Sequence, residues 1–110
     1  MLQSVTIVLD TASHQIDVTV EKNSEEEFRD NSMMAVAVQV DSSNKPVGSP
    51  IGLGTPSNTV QVNQNKRMYE FNASGLAFNP MTMQLAFPYR IEVAGCVAAV
   101  TDISAEEILS

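Results

Sequence analysis

Gln15-Ile16-Asp17-Val18-Thr19-Val20-Glu21 alternates polar with apolar residues without a break, and this period of two decides the fold class. Successive side chains of a strand point to opposite faces, so Ile16, Val18 and Val20 share one face and Asp17, Thr19 and Glu21 the other. That is the pattern of an antiparallel strand with one face in a core and one in water. Upstream, Val5, Ile7 and Leu9 alternate in the same way with Ser4, Thr6 and Val8. Asp10-Thr11-Ala12-Ser13 between the two runs supplies turn chemistry, so the pair reads as an opening hairpin.

Downstream the same logic predicts further strands. Residues 33–40 and 93–100 are apolar on both faces, which marks strands covered on both sides. Thr59-Val60-Gln61-Val62 and Arg67-Met68-Tyr69-Glu70-Phe71 flank a four-residue turn and read as a second hairpin. Met81, Met83, Leu85 and Phe87 alternate with Thr82, Gln84 and Ala86, a further strand ended by Pro88. Two capping boxes, Ser24 with Glu27 and Ser104 with Glu107, predict short helical turns near 24–30 and 103–109. Between them lies a Pro/Gly-rich loop over 41–58, long enough to act as an arm. About seven strands with Gly, Pro and Asn turns give an all-β chain: an antiparallel sandwich, jelly-roll or immunoglobulin-like, or a small barrel.

With 110 residues the chain reads as a single domain spanning 1–110. Its formal net charge of −7 opposes binding to nucleic acid or to an anionic membrane, since both need clustered Lys and Arg. The basic residues are scattered, with only Lys66 and Arg67 adjacent. No basic, apolar leader opens the chain, and 93–100 is far too short to span a bilayer, so the expectation is synthesis in the cytoplasm.

Candidate chemistry is sparse. His14, the one histidine, reads as an exposed turn residue, because nothing local supplies the nucleophile or carboxylate a general base needs. Cys96, the one cysteine, lies in an apolar run and reads as a buried, inert thiol. Gly48, Gly52 and Gly54 lack the Gly-Lys-Ser/Thr ending of a phosphate loop. Asp10, Asp41 and Asn44 have calcium-ligating chemistry but read as turn residues that bond their own backbone. Asn72-Ala73-Ser74 is a glycosylation sequon, silent in a cytoplasmic protein. Asp17, Glu70 and Glu92 are the acids a dispersed carboxylate pair would draw on. The residues therefore point to no catalytic, cofactor or metal site.

The doubly apolar strands carry the functional expectation. A two-layer sandwich leaves one face of each sheet polar, so surplus apolar strand implies burial against a partner. Met33, Ala35, Ala37, Ile51, Leu53, Ala94, Cys96 and Ala98 are the interface candidates on that argument. The expected role is a non-enzymatic structural or interaction protein in a homo-oligomer or larger assembly, most concretely a small phage virion component. A small-ligand module, with Met68, Met81 and Met83 around an apolar molecule, is the alternative, and a carboxylate-pair hydrolase the third.

Overall fold

In the computed structural model, which describes residues 2–25, 27, 28, 34–94 and 105–109, the alternating stretch forms strand β2 (Gln15–Lys22). Ile16, Val18 and Val20 are fully buried there, while Asp17, Thr19 and Glu21 are half-exposed. β2 pairs on one side with β1 (Leu2–Asp10) and on the other with β6 (Lys66–Asn72), and β5 (Asn58–Asn63) follows β6 at the edge. This first sheet thus runs β1-β2-β6-β5. The second runs β4-β3-β7-β8, built from β3 (Met34–Gln39), β4 (Ile51–Gly52), β7 (Tyr89–Ala94) and β8 (Ala105–Leu109). Every pairing is antiparallel.

Two separate sheets make the chain a sandwich and remove the barrel alternative. With the strands lettered in chain order, one sheet is A-B-E-D and the other C′-C-F-G, the order of an immunoglobulin-like sandwich. A tyrosine anchors the crossover into β7, its hydroxyl reaching back twelve residues. Tyr89 opens β7, is almost fully buried, and its hydroxyl accepts a hydrogen bond from the Ala77 N–H at 3.0 Å. The bond satisfies a backbone donor in the crossover between the sheets and fixes where β7 begins.

The core is one cluster drawn from both inner faces. Ile7, Ile16, Val18, Val20, Tyr69 and Phe71 come from the first sheet; Ala35, Ala37, Tyr89, Ile91 and Val93 come from the second. Tyr69 and Phe71 are its largest fully buried side chains. Burying each is worth about 1.5–3 kcal/mol in transfer free energy. The small side chains of Ala35 and Ala37 face the same interlayer space and leave room for these rings.

Three expectations change. Residues 105–109 form no helix; they extend the second sheet as β8, with Ile91 opposite Glu107 and Tyr89 opposite Leu109. A one-turn helix is marginal in water, whereas a strand added to β7 satisfies backbone groups at once. Near 24–30 the described residues form a turn at Ser24-Glu25 and a bridge at Phe28, again without a helix. The Met81–Phe87 alternation is not a strand either: Phe78 and Leu85 form an isolated bridge, with turns and bends between them.

The 41–58 loop is no free arm. The Asp41 N–H donates to the Lys45 carbonyl, the Val47 N–H to Gln39, and the Leu53 N–H to Ala35, so the chain returns along β3. Arg90 holds the tip from outside, donating to the Asn44 carbonyl at 3.2 Å and to its side-chain oxygen at 3.1 Å. The same Arg90 pairs with Glu92 at 3.0 Å. Val38 and Val40, on the face of β3 and its continuation opposite Ala35 and Ala37, are buried within the chain itself.

Removing the Tyr89 hydroxyl tests its part in the fold. Tyr89→Phe keeps the ring but leaves the Ala77 N–H without its acceptor, and should cost about 1–2 kcal/mol in urea unfolding, with no change in the far-ultraviolet spectrum. A loss under a few tenths of a kcal/mol would show that the bond does not anchor the crossover.

Candidate functional site

Most of the polar residues with candidate chemistry serve local structure. The Asp10 carboxylate accepts from the Ala12 N–H at 2.9 Å and the Ser13 N–H at 3.3 Å, closing the β1–β2 turn. Those backbone bonds to Ser13 and Ala12 hold its carboxyl below the usual 3.8. The Asp41 carboxylate likewise accepts from the Ser43 N–H at 2.8 Å and the Lys45 N–H at 3.0 Å. Both aspartates thus bond their own turns, the arrangement short polar side chains adopt at such positions.

The structure brings two of the three acids together. Asp17 and Glu70 are direct cross-strand partners on the outer face of the first sheet. The Gln15 amide bridges them, donating to Asp17 at 2.8 Å and to Glu70 at 2.7 Å. Asn58 donates to the other Glu70 oxygen. Like charges set opposite each other repel, and the amide between them offsets that cost. Glu92 lies on the opposite sheet in its ion pair with Arg90. Among the described residues no group of three or more His, Cys, Asp or Glu side chains is placed to hold a metal ion.

His14 is not the exposed turn residue its sequence suggests. It is half-buried, and its ring stacks on Phe78 with centroids 4.0 Å apart and planes 5° from parallel. No local pattern announces this pair, since 64 residues separate the two in sequence. The adjacent bases Lys66 and Arg67 likewise form no basic patch. Arg67 stacks its guanidinium 4.4 Å from the centre of the Phe28 ring, and Lys22 lies 5.4 Å from it.

The interface candidates divide. Ala35, Ala37 and Leu53 belong to the chain's own core, and Ile51 packs against it, so these side chains are already covered. The face assignment reversed because the larger Met34 and Val36 point outward, Met34 with 61% of its surface exposed. Ala94 is half-buried at the end of β7. Met33, Cys96 and Ala98 lie outside the described residues.

What the sequence reading missed is the 77–87 segment as a shaped projection. The Ala86 N–H donates to the Ala77 carbonyl, the Asn79 N–H to Gln84 and the Met83 N–H to Asn79. The Asn79 side chain accepts from Met81 at 2.9 Å and from Thr82 at 3.4 Å. At the base, Phe78 and Leu85 pack on the core, His14 stacks on Phe78, and Tyr89 holds Ala77. The tip carries apolar side chains into water, Met81 89% and Met83 49% exposed, and Phe87 just past the base is 45% exposed. These methionines therefore line no shared interior with Met68. Met83 is also in the left-handed region at φ 62°. Among the described residues His14 and Asn44 are the other non-glycine residues there, and both are types that adopt it readily; methionine is not.

Comparison with protein-family models, with curated proteins and with solved structures finds no match to this chain. Among the described residues no helix is long and apolar enough to cross a membrane.

Two measurements follow from these geometries. Asp10 has a folded-state pKa below its unfolded value, so its stabilisation is present above that unfolded value of 3.8 and is lost as pH falls through the folded pKa. The stability advantage of the wild type over Asp10→Asn should therefore shrink as unfolding is measured from about pH 5 down to about pH 2.5; a constant gap would refute the account. Met83→Asn should leave stability unchanged or raise it by about 0.5–1 kcal/mol, because asparagine tolerates the left-handed backbone. A clear loss of thermal stability would mean the Met83 side chain is a packing element.

Proposed function

We propose that this chain is a non-enzymatic structural or interaction protein that works packed into an oligomeric assembly, most concretely a small phage virion protein that sits on a capsid. The observation that carries the reading is the 77–87 projection. Three large apolar side chains stand in water on a segment held by its own backbone bonds and by the core beneath. Ordinary surface loops are polar and mobile; an ordered loop that presents Met and Phe is built as a contact. The left-handed Met83 agrees with this, since backbone strain persists where a conformation has a use.

Energetics favour the same direction. A pre-ordered loop gives up little conformational freedom on docking, so burial of Met81, Met83 and Phe87 counts almost fully toward binding. Methionine suits a contact that must adapt to a partner's relief, being unbranched and polarisable. The net charge of −7 keeps the free chain from associating through general hydrophobicity and favours a partner with a basic or neutral surface. The virion form of the reading adds the β-sandwich build and the expected cytoplasmic synthesis.

The test is sedimentation of the native extract and of purified particles from the source, with the chain followed by antibody. Wild-type chain should travel with a large assembly. Met81→Ser/Met83→Ser/Phe87→Ser should fold normally by circular dichroism yet sediment at its own mass. A wild-type chain found only at its own mass, in extract and particles alike, would sink the proposal.

A further inference from the structure

Of the four methionines among the described residues, Met34, Met81 and Met83 stand in water and Met68 is half-buried. Met81 and Met34 are the two most exposed large apolar side chains among the described residues. Leu9, Leu53, Leu76 and Leu85, of similar volume, are all buried or half-buried. Methionine is ordinarily among the residue types most often found fully inside. Here thioethers, and not branched hydrocarbons of the same size, face solvent, and two of them share the 77–87 projection.

The two kinds of side chain pack alike but react differently. Hydrogen peroxide oxidises a methionine sulfur that it can reach. The sulfur lone pair attacks one peroxide oxygen, and an S–O bond forms as the O–O bond breaks. Sulfur gives up two electrons, and the departing oxygen takes both protons and leaves as water. The sulfoxide left behind is polar and accepts hydrogen bonds where the thioether was apolar.

Placement decides what this change does. The projection is held by the Ala86 N–H on Ala77, the Asn79 N–H on Gln84, the Met83 N–H on Asn79 and the Asn79 side chain. None of these bonds uses a sulfur, so oxidation alters what the loop presents and not its shape. We propose that Met81 and Met83 form a peroxide-sensitive modification site whose oxidation keeps the free chain from docking through the 77–87 projection. The switch acts before docking, because a docked tip is covered by its partner. A sulfoxide pressed against an apolar surface is a buried acceptor without a donor, which weakens the contact by about tenfold or more. The inference rests on the docking role proposed for the projection; the place of oxidation does not.

Dilute hydrogen peroxide followed by peptide mass mapping reads the site. Met81 should take up one oxygen first, Met83 and Met34 after it and Met68 last, with the far-ultraviolet spectrum unchanged. Oxidation of Met68 as fast as Met81 overturns the proposal. Docking is read by sedimenting tagged chain with purified source particles prepared without their own copy. Untreated wild type should travel with the particles, and oxidised wild type should need about tenfold more chain to do so. Methionine sulfoxide reductase with a dithiol should restore it, the sulfoxide oxygen leaving as water. Met81→Leu/Met83→Leu should dock before and after peroxide, although its Met34 is still oxidised. Met34 serves as the internal control because it begins β3 opposite Ala94, whereas the other end of that strand meets Tyr89 and Pro88 beside the projection. Oxidised wild type that docks like untreated chain, or a leucine variant released by peroxide, overturns the proposal and leaves the assembly reading standing. If neither the untreated wild type nor the leucine variant travels with the particles, both fall.

Discussion

Water is excluded from one interlayer space, between Tyr69 and Phe71 on one sheet and Ala35, Ala37, Ile91 and Val93 on the other. Each strand can bury only one of its two faces there. That constraint settles which half of every alternating pair is inside, and with it the register of every hairpin, since a slip of one residue would turn the core face to solvent. Ile16, Val18 and Val20 satisfy it with their neighbours Val5, Ile7 and Leu9 across β1. The outer face is then free for other uses, among them the Gln15 bridge between Asp17 and Glu70.

Segments that lie outside the two layers must still satisfy their backbone groups, and here side chains do much of it. Asp10, Asp41 and Asn79 each accept from nearby N–H groups in a turn, and Tyr89 reaches from the core to Ala77. A loop tied down in this way has few conformations left. It can therefore hold apolar side chains in water without collapsing onto the core, which is the situation of Met81, Met83 and Phe87. Order in the loop and exposure at its tip are two results of one hydrogen-bond arrangement.

The same two-layer geometry explains why β5 is exposed. β1 and β8 approach each other on one side of the sandwich, which sets β5 and β4 on the other. β4 is only two residues long, so the second sheet offers little cover to β5, and all six of its residues stay exposed.

Read alone, the sequence determined the all-β class, the wet and buried faces of β1 and β2, and the turn roles of Asp10 and Asp41, because each depends on neighbours a few residues apart. It misjudged residues 105–109, where a capping pattern of weak local energy yielded to pairing with β7. It also misjudged Ala35 and Ala37, since alternation in a doubly apolar strand marks two faces without saying which is inner. Only the tertiary structure decided that question, by matching small side chains to the rings of the opposite sheet. It alone brought His14 onto Phe78, Asp17 beside Glu70 and Tyr89 onto Ala77. Such contacts join distant parts of the chain, and their energies are set by a geometry that no local pattern of residues encodes.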